Sequence, residues 1–342
     1  MRNKGSYVDK LKTLKSSSLQ AEGFLGLDIP PFGFSVENAL SDYELFDVAI
    51  KKVKFIGIST NNKTQNRFKT LGMLLGNDPE DKLVSLELEE NFEEKFWSII
   101  KEINEGRKEA RLKPIGDPFN ANIMLFTSDK LALEESYDNL EELKKKGFIK
   151  SFGLTIKTLP LELKFLKDPR LKIIQLDGFF DLLSNGAHKA PAAIEEKSRN
   201  IKEFFTAVVE NDKKVIISIP HDLSLLFTEN SLLNKQVNKE VLNFKNKIAF
   251  IASKYDIPLI SALLQFPYVF GEGKVISVTT TVSSLKEIDE IRKFHDYPIP
   301  SAIWKELQLE GLINPELRPF GIVDNWVGRS RDKINAGVVM EV

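Results

Sequence analysis

The chain has 342 residues, 42% of them hydrophobic, and a net charge of −1. That length admits one large α/β domain or two smaller ones, and the charge balance gives no bulk attraction to nucleic acid or an anionic membrane. There is no Cys, and there are three His (His188, His221 and His295), so disulfides, thiolate zinc sites and a cysteine nucleophile are excluded and a His-rich metal centre is disfavoured.

The first stretch, MRNKGSYVDKLKTLKSSS, is basic and contains serines. It reads as a solvated tail over residues 1–20; Asp9, and the lack of any Arg in it beyond Arg2, weaken a transit-peptide reading. No apolar run reaches the ~18 residues that suggest a membrane span. Strand candidates then alternate with amphipathic stretches: LGLDI (25–29), KFIGI (54–58), LVSLEL (83–88), NIMLF (122–126), SFGLT (151–155), KIIQL (172–176), KVIISI (214–219) and VISVT (275–279). After KFIGI comes the polar turn STNNKTQN (59–66), which offers amides and hydroxyls but no acid, Tyr, His or Cys. In NFEEKFWSIIKEI, Trp97 reads as core on an apolar helical face. DNLEELKKKG puts Leu140 and Leu143 on one helix face, with acids before bases and Gly147 as the stop. KEFFTAVVE (202–210) reads as a helix facing a sheet. NFKNKIAFIASKYD places Ile248, Ile251 and Ala252 one helical turn apart. The long segment 223–241 reads as a rim loop or a plain insertion. The end, 316–342, reads as a second tail.

Eight strand–helix units predict a single (β/α)8 TIM barrel over residues 21–315. An open doubly wound sheet is the alternative, but no GxGxxG turn follows an early strand.

Four passages are similar to known ones. KKGFIKSFGLT (145–155) resembles the "eGkvraiGvs" passage of aldo-keto reductases. RFKTLGMLLG (67–76) resembles the helix after that family's second strand. Residues 254–291 resemble its last helix, last strand and cofactor loop, and YPIPSAIWKELQLEGLI (297–313) the closing helix of the aldose and galactose dehydrogenase branch. The resemblance implies an aldo-keto reductase barrel and a carbonyl-reducing tetrad of Asp, Tyr, Lys and His. It places Gly57 at the Asp, Asn61 or Asn62 at the Tyr, Glu87 at the Lys and Thr127 at the His, the last within one residue. None of these can replace the original group: Asn is no proton donor near neutral pH, and Glu would raise a neighbouring phenol's pKa. No Tyr occurs between Tyr43 and Tyr137. In the family's cofactor loop, Thr281 takes the place of a Gly and Ser283 of an Arg; Ser284 is kept, and Lys286 supplies a charge. Binding of NADP or NAD stays open, as does a plain capped helix.

Other candidates are His221 beside Asp222, as a base or a capping residue, and Asp177 with Glu87 and Asp129, as an oxygen-ligand cluster or as helix caps. Phe179 and Phe180, followed by His188, read as core packing or as an aromatic near a nicotinamide. The expectation is a cytoplasmic barrel that binds a small polar ligand, a sugar or a protein partner, without resident metal and without the family's carbonyl reduction. A rebuilt NAD(P)-dependent sugar dehydrogenase using His221, Asp177 or Glu87 is the alternative.

Overall fold

Seven strands form where the β-branched runs lie, because a parallel sheet buried on both faces needs near-continuous apolar segments. The structure, a computed structural model, describes residues 29–35, 43–59, 67–88, 92–116, 122–128, 130–157, 159, 163–185, 187, 200–219, 239–282 and 284–320. The strands are β1 (Phe32–Ser35), β2 (Phe55–Ser59), β3 (Leu83–Glu87), β4 (Asn122–Thr127), β5 (Ser151–Ile156), β6 (Ile173–Asp177), β7 (Lys214–Ile219) and β8 (Val275–Thr281). They are all parallel and close in sequence order, with β1 paired to β8. This is the predicted (β/α)8 barrel.

The first strand differs from expectation. Residues 25–28 of LGLDI lie outside the described residues, and β1 is FGFS, directly after Pro30 and Pro31. Gly33 is required there, since a Cβ would stand 2.8 Å from the Phe55 carbonyl oxygen and 2.9 Å from its ring.

The described helices are α1 (Tyr43–Lys52), α2 (Arg67–Leu74), α3 (Phe92–Glu109), α4 (Lys130–Lys145), α5 (Ile201–Glu210), α6 (Lys239–Lys254), α7 (Leu259–Phe270), α8 (Leu285–His295) and α9 (Ser301–Leu309). The expected faces are buried: Leu140 and Leu143 on α4, Phe204, Phe205 and Val208 on α5, Ile248, Ile251 and Ala252 on α6. Trp97 departs from its expected core position. The buried stripe of α3 is Phe96, Ile99, Ile100 and Ile103, and Trp97 lies beside it, over a third exposed and edge-on to Phe148. Phe179 and Phe180 are packed in the layer between sheet and helices, Phe180 against Phe205 and Phe266. Among the described residues no single helix is long and apolar enough to cross a membrane.

One half-buried and one buried lysine sit at the N-terminal end of the barrel, held by backbone carbonyls. Lys82 donates to Ile50 and Val53 at 2.6 and 2.9 Å, and Lys213 to Asp168 at 2.7 Å. Burial lowers the pKa of both lysines. Such groups serve stability, while the C-terminal end of a barrel is left for ligands.

Candidate functional site at the barrel mouth

Side chains alternate across each strand, so inward positions recur at every second residue. The lower interior is an apolar plug: Ile29, Phe55, Leu83, Met124, Phe126, Ile173, Ile216 and Ile276. Two residues further along, the character changes. Phe55 gives way to Gly57, Leu83 to Ser85 and then Glu87, Ile173 to Gln175, Ile216 to Ser218. A cavity of about 20 Å³ opens at this level, lined by Ser35, Gly57, Ile58, Ser85, Glu87, Phe126, Gln175, Ser218 and Thr279. That volume suits one water-sized group. β5 leaves space in this layer for its neighbour: a Cβ on Gly153 would lie 2.5 Å from the Phe126 ring.

Glu87 ends β3 and is 7% exposed. Its Oε1 lies 3.2 Å from Nζ of Lys157, whose side chain is about half exposed at 45%. Lys157 follows the last residue of β5 and continues the inward series Gly153, Thr155, Lys157. Thr155 pairs in register with Gln175. Its hydroxyl is buried and has no hydrogen-bond partner among the described residues. Buried hydroxyls are normally satisfied, and this one stands in the same inward layer as Gln175.

Gly57 and Glu87 line the cavity. Asp177 is in register with Ser218, and Thr281 with Ser35, so both share the inward face. Thr127 does not. It is fully buried, and alternation places it with Leu125 toward the helices, while Phe126 takes the inward position. Gly57 leaves little room: a Cβ there would meet Ser85 Oγ at 3.2 Å. Asn61, Asn62, Asp129, His188, His221 and Ser283 lie outside the described residues. Sequence reasoning missed Lys157 and the ring of Ser35, Ser85, Gln175, Ser218 and Thr279. Their signal was available as polar residues two positions after an inward apolar residue.

Of the groups expected at a dinucleotide loop, the structure describes Thr281, Ser284 and Lys286. Ser284 caps α8, its hydroxyl accepting from the Glu287 amide at 3.3 Å. Lys286 pairs with Glu290 at 3.6 Å, and Thr281 is 5% exposed within the sheet. No group of three or more His, Asp or Glu side chains able to hold a metal comes together among the described residues.

The tyrosines with described side chains sit in or over the helix layer with ordinary roles. Tyr255 donates to Glu306 at 2.6 Å, Tyr268 donates to the Pro31 carbonyl, and Tyr297 donates to the Asp256 carbonyl at 3.0 Å. Tyr137 is buried beneath the Arg170 guanidinium. Burial, then Asp168, pushes Tyr137 up to about 12; burial, then the Glu306 hydrogen bond, pushes Tyr255 up to about 12. Burial raises Tyr268 as well. These are shifts away from a proton donor useful near neutral pH. An ultraviolet titration of the native protein should therefore leave three of its six tyrosines un-ionised after the ordinary phenol range near pH 10. The neutral phenols contribute stability below pH 10 that is lost as pH rises through about 12. Full ionisation with the native fold retained at pH 10.5 would contradict this.

Comparison with known proteins agrees with this geometry at the level of fold. An aldo-keto reductase from Bacillus halodurans superposes with a TM-score of 0.58 at 14% identity, covering 84% of this chain and 94% of that one. An aldo-keto reductase from Klebsiella pneumoniae in complex with NADPH gives 0.56 at 10% identity, covering 86% and 95%. The glycerol dehydrogenase of Gluconobacter oxydans gives 0.55 at 12%, covering 83% and 92%. Among curated proteins, pyridoxal 4-dehydrogenase of Microbacterium luteolum is 26% identical over 175 residues, 51% of this chain and 48% of that protein. D-threo-aldose 1-dehydrogenase of a Pseudomonas species is 24% identical over 188 residues, 54% and 53% respectively. The chain spans about half the length of the curated relatives it matches. No family model matches. The fold is thus the aldo-keto reductase (β/α)8 barrel, with sequence similarity to proteins named as dehydrogenases.

Proposed function

We propose that this barrel binds a small polar ligand at its mouth and has left the carbonyl reduction of its fold relatives. The observation that carries the reading is the composition of the inward face. The described cavity lining offers hydroxyls, one amide and the Glu87 carboxylate, with no phenol or imidazole, and Lys157 pairs with Glu87 from beside it. Such groups orient a polar ligand by hydrogen bonds, and none of the hydroxyls or amides titrates near neutrality. Fold alone does not confer the relatives' activity.

A second reading is favoured by one feature. Glu87 and Lys157 put titratable side chains at the C-terminal end of the barrel, where barrel enzymes work. With the curated relatives named as dehydrogenases, this supports an NAD(P)-dependent sugar oxidoreductase rebuilt around Glu87, Asp177 or His221.

Calorimetric titration with NADPH, NADH and a panel of neutral sugars, paired with turnover assays, separates the two. Binding of a sugar without nucleotide-dependent turnover is expected. Turnover that disappears in Glu87→Gln or His221→Ala would establish the second reading and overturn the first.

A further inference from the structure

The chain itself seats an ammonium group at the mouth, and the way it does so points to a class of ligand. Glu87 is a buried carboxylate beside a water-sized polar cavity. An ionised carboxylate in such a place needs a counter-charge close by. Lys157 provides it from outside: its stem is about half exposed and its Nζ reaches in to 3.2 Å from Oε1. Lys157 is a long, partly solvated side chain, and ordering it against Glu87 costs rotamer freedom that is recovered when an equivalent cation takes its place.

The surroundings suit the same charge. An ammonium has three donors and no acceptor. The inward face presents oxygen acceptors at this level: Glu87, the unpartnered Thr155 hydroxyl, and the hydroxyls of Ser85 and Ser218. Glu87 is the one carboxylate in the described cavity lining, and no cation shares that lining.

We infer that the mouth is an amine subsite: a small ligand bearing a protonated primary amine binds with its ammonium on Glu87 and displaces Lys157, which acts as a tethered stand-in. This rests on the polar-ligand reading above and names the chemical class of the ligand.

Ligand-observed NMR in phosphate buffer at neutral pH tests it on the full chain with two matched pairs, ethanolamine against ethylene glycol and glucosamine against glucose. The expected result is amine binding tighter than its hydroxyl counterpart by about tenfold, the scale of one charge-assisted contact. Glu87→Gln should abolish that preference. Lys157→Met should strengthen amine binding by about threefold or more, because the internal competitor is gone. A purely structural Lys157 would leave amine affinity unchanged or lower in Lys157→Met, and that result overturns the inference even if Glu87→Gln fails to fold. Equal binding of amine and hydroxyl partners sinks the amine preference and leaves the polar-ligand reading standing. Failure of both amines to bind overturns it too, with the calorimetric sugar panel then deciding the broader reading by itself.

Discussion

Gly72→Ala and Gly106→Ala are each expected to destabilise the barrel by about 3 kcal/mol or more, read as a lower denaturant midpoint at unchanged slope. Both glycines are in helix interiors, where Ala is normally the better residue by about 1 kcal/mol. Here the sign reverses. Helices α2 and α3 approach so closely that a Cβ on Gly72 would lie 1.9 Å from the Ile103 carbonyl oxygen. A Cβ on Gly106 would lie 1.9 Å from the Lys69 carbonyl oxygen. Backbone cannot move aside as a side-chain tip can, so the helices must part and lose contacts along their length. The overlap therefore outweighs the gain in propensity. The double variant should cost less than the sum, since the first substitution already separates the pair. A neutral or stabilising Gly72→Ala would show that the two helices do not cross at these glycines.

Arg107→Met is expected to cost about 2–5 kcal/mol. Arg107 is 1% exposed near the end of α3. Its Nε donates to the Lys113 carbonyl at 2.6 Å and its Nη1 to the Gly76 carbonyl at 2.9 Å. Gly76 turns the chain with φ of +71°, a conformation that suits glycine. The guanidinium thus ties the exits of α2 and α3 together. Burial lowers the Arg107 pKa, which reflects the cost of holding a charge there, and Met recovers that cost. What it cannot recover is the pair of part-buried hydrogen bonds to the Lys113 and Gly76 carbonyls. Arg107→Lys should fall between, with one donor group in place of a fork. Because Arg107 belongs to the N-terminal end of the barrel, ligand affinity at the mouth should be unchanged in any variant that folds. A loss of affinity without a loss of stability would contradict the division between the two ends.

Most of the barrel was legible in the sequence because β2 to β8 are runs of β-branched and aromatic residues that need burial on both faces. β1 was not, since FGFS is four residues long, follows two prolines and uses a glycine to admit the Phe55 ring. The candidate site was legible only in part. Glu87 stood out as an acid at the end of an apolar run, and Gly57 as a missing side chain. Lys157 did not, because it lies one residue past its strand, and its partner is set by the register of β3, β4 and β5 rather than by nearby sequence. Thr127 shows how sharp that dependence is. A shift of one residue along a strand moves a side chain from the ligand face to the helix face.

One assay bears most directly on the proposed loss of chemistry. Homogeneous protein at neutral pH is mixed with NADPH, or with NADH, and a panel of aldoses and aromatic aldehydes, and the nicotinamide absorbance is followed. The expected result is no consumption above the protein-free blank. The deciding variant is Tyr43→Phe, because Tyr43 opens α1, the first helix after β1, and no other Tyr lies between it and Tyr137. Steady consumption of the aldehyde by the native chain, lost in Tyr43→Phe, would show a phenol serving this mouth and would contradict the account.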